Sequence, residues 1–287
     1  MSTSKVTAFC PGHISGYFRP VITGDPATSG SCGGGIVIDS GVMVIAQKAE
    51  KTSVSVIRSD RDGITRVVSD DSPVIRHLLT ELQITASIET ICTLPLSAGY
   101  GLSAAALLST VHAVNRLFDL GLSADECALH AHKIEVFSKT GLGDVSACQG
   151  GGWVVRKGPG VNGDIRRFPD DRIIHALTLG PLKTSSVLSS SDALSRITAA
   201  FPSSQPGDLT DFFSCSRSFA EASGLISPDI WKVLIACDAN NIPASMTMLG
   251  NGIFALGDHA KDLLSRYGEV YSLQIAQTGP RILEEMP

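Results

Sequence analysis

An α+β fold, in one large domain or two modest ones, is predicted by three features of the sequence: short β-branched runs in its first third, a glycine-rich turn at 95–106 that passes from strand into alanine-rich helix, and mixed helices and strands beyond a Gly/Pro-rich stretch at 157–164. The chain has 287 residues, 43% of them hydrophobic and 18% charged. A chain of that size buries roughly 75% of its unfolded surface, enough for one large core or two modest ones. The Gly/Pro-rich stretch is a boundary or an exposed connection; as a boundary it divides residues 1–160 from residues 161–287.

The apolar runs at 35–39, 42–47, 53–57 and 64–68, separated by Gly, Ser and Asp, read as strands. Ser72 before Pro73 starts a helix, because serine caps free N–H groups and proline at the first helical position has none to lose. Val74, Ile75, Leu78, Leu79 and Leu82 then share one face. The alternation ITASIET over 84–90 buries Ile84, Ala86 and Ile88 on one side of a strand that enters the glycine turn. Beyond the turn, Ala104, Leu107, Leu108, Val111, Val114 and Phe118 recur at helical spacing, so a helix is predicted over 103–120, stopped by Gly121. Ser123 and Glu126 form a capping box for a helix over 124–138. A second glycine-rich turn, KTGLGDVSACQGGG over 139–152, leads to a strand at 153–156. Further on, the pattern gives a strand at 173–179, helices around 191–200, 209–223 and 228–240, a strand pair within 244–256, and a last helix and strand within 258–275. The Ser-rich KTSSVLSSSD at 183–192 is too short to be read as a disordered segment.

A net charge of −5 gives no general attraction to nucleic acid or to an anionic membrane. A phosphate-bearing ligand must therefore be held by local devices. The opening MSTSKVTAFCPGH lacks the apolar run of a signal peptide, and no stretch approaches a membrane span, so a cytoplasmic protein is expected. Seven scattered cysteines with no C-x-x-C spacing argue against a disulfide framework or structural zinc. His130 and His132, two apart on a helix, do not share a face and make no zinc pair.

The segment TLPLSAGYGLSAAALLS is where chemistry concentrates. Gly99 and Gly101 permit close backbone approach, and the helix beyond offers unpaired N–H groups and a partial positive end that favour an anion. Ser103 adds a hydroxyl able to meet phosphate or Mg2+. By residues alone the segment is either a phosphate site or a tightly packed strand-to-helix connection. It is not a Walker loop, because GxxxxGK[ST] is absent, and its spacing is not that of a dinucleotide fingerprint.

This turn resembles the central PxxxGLGSSAA motif of the GHMP kinases (galactokinase, homoserine kinase, mevalonate kinase, phosphomevalonate kinase). Pro95, Gly99, Gly101, Ser103, Ala104 and Ala105 match, while Tyr100 and Leu102 depart. TAFCPGHISGYF at 7–18 is similar to the first family motif, a PG turn leading to the substrate site, and SMTMLGNGIFAL at 245–256 to the third, through Gly250 and Gly252. The resemblance implies two domains, an N-terminal mixed sheet plus helices over 1–160 and a C-terminal ferredoxin-like α+β domain over 161–287, with ATP and Mg2+ as cofactors and a homodimer. It implies nucleotide contacts at Pro95, Ser97, Gly99, Gly101, Leu102, Ser103 and Ala104. Asp144, in the glycine-Asp segment, corresponds to the carboxylate that approaches the acceptor hydroxyl; read by itself it could equally cap the following turn. Glu135 corresponds to a magnesium ligand beside Ser103, or is a solvated helix-face glutamate. Lys139 and Arg156 either neutralise phosphate or lie on the surface. The strings CPGHISGYF, GSCGGGIVIDSGV and TGLGDV are most similar to the branch that phosphorylates pantoate on the archaeal route to coenzyme A. For that small hydroxy acid, His13, Ser15, Arg19 and Gly250 are the substrate-side candidates, with Arg19 expected to anchor the carboxylate. Phosphorylation of homoserine, shikimate or a mevalonate-pathway alcohol is the alternative, as is a regulator that binds nucleotide without turnover.

Overall fold

The computed structural model describes residues 3–60, 62–180 and 189–287, so most of the Ser-rich stretch 183–192 lies outside the described residues. Two long strands, β1 (Lys5–Val21) and β2 (Gly30–Lys48), form an antiparallel pair that carries much of the molecule. The predicted turn at Pro11-Gly12 is instead part of β1. The register slips between Pro11 and Gly12, which pair with Gly41 and Ile38, and again between Ser15 and Tyr17. A slip of this kind bends a strand without ending it. For the same reason the two runs at 35–39 and 42–47 belong to one strand, with Asp39 and Ser40 bulged out at its middle.

Around this pair the first sheet takes the order β12-β1-β2-β5-β3-β4, with β3 (Ser53–Ser59), β4 (Thr65–Ser69), β5 (Ala86–Cys92) and β12 (Arg281–Met286). Its β3–β5 pairing is parallel, which makes the sheet mixed. β6 (Trp153–Arg156) pairs with the glycine-rich start of β2 and with β7 (Ile165–Phe168). Since β7 and β12 both join it, the first sheet extends past the break expected at 160. Helices α1 (Pro73–Glu81), α2 (Leu102–Phe118), α3 (Ala124–Phe137) and α4 (Asp144–Cys148) accompany the sheet. α2 buries 11 of its 17 residues, so it is a central helix and not a surface one. The capping box of α3 forms as predicted.

The second sheet runs β11-β8-β10-β9, from β8 (Ile173–Thr178), β9 (Ala244–Met246), β10 (Gly252–Leu256) and β11 (Val270–Gln274), all antiparallel. That is the 4-1-3-2 order of a split βαβ, ferredoxin-like unit. Its helices are α5 (Ser191–Ala200), α6 (Leu209–Ser223), α7 (Pro228–Ala239) and α8 (Ala260–Leu264). One continuous apolar core joins the two sheets, with Phe212, Phe213 and Phe219 of α6 meeting Tyr17 of β1 and Phe254 of β10. Among the described residues no helix is long and apolar enough to cross a membrane.

Candidate active site

A cavity of about 460 Å³ opens between the glycine turn and the start of α4. All seven residues expected to meet nucleotide, Pro95, Ser97, Gly99, Gly101, Leu102, Ser103 and Ala104, line it. The turn works through its backbone. Gly101 is the N-cap of α2 with φ at 63°, and no side chain caps the helix, so the N–H groups of the first turn stay free for an anion. A Cβ on Gly101 would stand 3.0 Å from both the N and the O of His13. The turn is held from behind by neighbouring strands. The His13 N–H donates to the Tyr100 carbonyl at 2.9 Å, and the Thr247 hydroxyl donates to the Ala98 carbonyl at 3.3 Å. Ser97 and Leu249 carry left-handed φ values of 57° and 60° on either side of this contact and also line the cavity. Non-glycine residues adopt that conformation only when their surroundings impose it. Tyr100, one of the two departures from the family motif, is buried and packs edge-on against Tyr271, with ring centroids 6.2 Å apart. It serves the core.

The opposite wall is built of side chains. The turn over 139–152 is not all turn: Asp144 starts the short α4, and its carboxylate accepts a hydrogen bond from His13 Nδ1 at 2.6 Å. Burial pushes the Asp144 carboxyl up, but the His13 hydrogen bond, the Arg156 charge and a hydrogen bond from Ser15 together hold it below its ordinary value. Burial in turn lowers His13, more than Asp144 raises it. The pair is thus a neutral imidazole donating to an ionised carboxylate. Arg156, 3% exposed, donates through Nη1 to the Ser31 hydroxyl at 2.9 Å and lines the cavity. Its charge faces both Asp144 and Glu135. From β7, Arg167 donates to the carbonyls of Ser146 and Ala147, both at 2.8 Å, and so pins α4.

The predicted site residues separate into three groups. Asp144, Ser15 and Ser103 line the cavity as expected. His13 and Glu135 lie behind its wall. His13 is fully buried and meets Asp144, not a ligand; the bulged course of β1 turns it inward. Glu135 is 1% exposed, so it is no solvated helix-face residue. A Cβ on Gly141 would collide with its Oε1 and come within 2.8 Å of Asp144 Oδ2, so the two carboxylates flank that glycine. Burial and the Asp144 charge raise the Glu135 carboxyl against the pull of His132, whose Nδ1 stands 3.5 Å from the Glu135 Oε2. The third group does not join the site. Arg19 is exposed and lies over the Phe201 ring at 4.7 Å, away from the cavity lining, because its position beyond the second slip of β1 faces outward. Gly250 is not a lining residue either; a Cβ there would collide with the Ala98 carbonyl, so it lets the third motif press on the glycine turn. Arg156 is the basic residue that the sequence left ambiguous. Its strand, buried along its whole length, carries no alternation to mark it. His132, set aside for zinc, is fully buried and donates from Nε2 to the Ser29 carbonyl at 2.8 Å. Among the described residues no group of three or more His, Cys, Asp or Glu forms a metal cage.

Comparison with known proteins agrees with this geometry. The family description GHMP kinases N terminal domain matches residues 67–152, which include the glycine turn and Asp144. The chain is 57% identical to a pantoate kinase of Methanospirillum hungatei over 99% of its own length and 98% of that protein's. A solved phosphotransferase related to the coenzyme A biosynthesis pathway superposes with a TM-score of 0.80 at 25% identity, covering 97% of this chain and 98% of its own. Mevalonate-3-kinase from Thermoplasma acidophilum, solved with mevalonate 3-phosphate and ADP, shares the fold at a TM-score of 0.67 and 12% identity, covering 99% of this chain and 100% of its own.

Proposed function

The chain belongs to the pantoate kinase family within the GHMP kinases, and on that premise we propose that it transfers the γ-phosphoryl group of ATP to the primary hydroxyl of pantoate, giving 4-phosphopantoate and ADP on the way to coenzyme A. The observation that carries the reading is the facing of an uncapped helix start and an ionised, buried-partnered carboxylate across one cavity. The free N–H groups of α2 suit the triphosphate, and Asp144 suits the alcohol. In a loose phosphoryl-transfer transition state the nucleophile needs orientation more than prior deprotonation. A carboxylate below its ordinary pKa serves that need: it orients the hydroxyl and accepts the proton late.

The carboxylate of pantoate calls for a cation. Arg156 supplies one inside the cavity, with a Nε that has no partner of its own, and takes the role expected of Arg19. Removal from water strengthens such a pair, and its bidentate geometry selects a planar anion. Lys139, also a lining residue, suits the triphosphate side. The residues present fit Mg2+ by donor type, with the Ser103 hydroxyl at the cavity and the Glu135 carboxylate beside Asp144 at Gly141. Bound with ATP, the ion would neutralise phosphate charge, held by Ser103, Glu135 and the phosphates.

Incubating the purified protein with ATP and Mg2+ against pantoate, homoserine, shikimate and mevalonate tests the assignment. ADP release with pantoate alone is expected; turnover of another alcohol with none for pantoate would overturn it.

A further inference from the structure

His13 belongs to neither substrate in this arrangement, yet it touches both halves of the site. Its backbone N–H holds the Tyr100 carbonyl of the glycine turn at 2.9 Å, and its side chain holds Asp144 at 2.6 Å. Its other ring nitrogen, Nε2, is buried without a hydrogen-bond partner. Nε2 faces Gly35 so closely that a Cβ there would collide with it. A proton on Nε2 would be a buried donor with nothing to receive it, which costs more than a bare acceptor in the same place. The ring is therefore fixed as the Nδ1–H tautomer, its one ring proton donated to Asp144.

From this geometry we infer that His13 is a positioning residue: it locks the Asp144 carboxylate at a fixed place relative to the phosphate turn, and takes no part in binding or in carrying protons away. The inference rests on the kinase reading of Asp144 for its kinetic consequence, while the pairing itself stands on the contacts alone. A proton relay is ruled out by the dead end at Nε2. Direct substrate contact is ruled out by complete burial behind Asp144.

Two variants and one spectrum test it. Asparagine can place an amide N–H near the Nδ1 position, whereas leucine cannot donate. His13→Leu should lower kcat by about 100-fold, in the range that orienting a general base supplies, with KM for ATP and pantoate changed by less than about threefold. His13→Asn should recover most of that loss. A rise in the pantoate KM at unchanged kcat would mean direct contact, and equal losses in the two folded variants would mean mere packing; either overturns the inference. Proton–nitrogen NMR of the histidine rings, which needs no substrate, should find His13 protonated at Nδ1 alone, with its signal displaced in Asp144→Asn. A proton on Nε2, or a signal indifferent to Asp144→Asn, would sink the pairing even if pantoate is the acceptor. Failure of pantoate turnover with the expected spectrum would sink only the acceptor.

Discussion

The two walls of the cavity are made in opposite ways. The phosphate wall, residues 95–104, presents backbone N–H groups and small side chains; the acidic wall presents Asp144 and Arg156, with His13 and Glu135 supporting from behind. The first wall depends on where a Cβ is missing. The second depends on which charge sits where and what holds it. Substitutions should therefore act on different kinetic quantities according to the wall they touch.

The largest effect is expected on the acidic wall. Asp144→Asn keeps the shape and removes the proton acceptor, so kcat should fall about 1000-fold while calorimetry finds ATP binding unchanged; parallel loss of ATP affinity would erase the distinction between the walls. Arg156→Ala should raise the pantoate KM by about 100-fold, the effect of losing a charge-assisted pair in a dry site, and leave the ATP KM alone. Arg19→Ala, at an exposed position, should match the parent protein in both constants, which sharpens the choice between the two arginines. On the phosphate wall, Gly101→Ala forces a Cβ into a left-handed residue pressed against His13. It should cost about 1–2 kcal/mol in folding stability, read by urea titration, and raise the ATP KM before the pantoate KM.

The smallest effect concerns pH and is read at His112, outside both walls. Burial lowers His112 of α2, as it lowers His13. Each is held neutral in the folded state and gains its proton more readily when unfolded, so between the folded and unfolded pKa values the unfolded chain binds more protons. Stability should then fall as pH drops below about 6.5, and be fully present above it. His132 is raised and opposes the trend. His112→Gln should flatten the decline in melting temperature between pH 7.5 and 5.5; an unchanged slope would remove His112 from the account.

The same division governs what the sequence discloses. α2, α3 and the phosphate turn are legible because their signals are local: a helical period, a capping box, glycines at fixed offsets. The strands of the four-stranded sheet are legible as short apolar runs, and its ferredoxin-like order follows from the family resemblance. β1 is masked by Pro11, Gly12 and Gly16, which punctuate like a turn, although pairing with β2 carries the strand through them as slips of register. β12 and β7 have few buried residues, so no apolar pattern announces them. His13, Glu135 and Arg156 were visible as candidates, but their depth was not. Whether a residue lines a cavity or stands behind it is decided by bulges and by partners more than a hundred positions away, as with His13 and Asp144.

The pairing of β12 with β1 bears on how the molecule is made. Residues 281–286 hydrogen-bond to residues 5–9, and β12 follows every other described element in the chain. During synthesis the outer rim of β1 must wait, with its peptide groups open, until every other described element has left the ribosome. An open rim of that kind invites a neighbouring chain to dock. β1, the strand that supplies His13, thus precedes every other described element and waits for the last of them to be sealed.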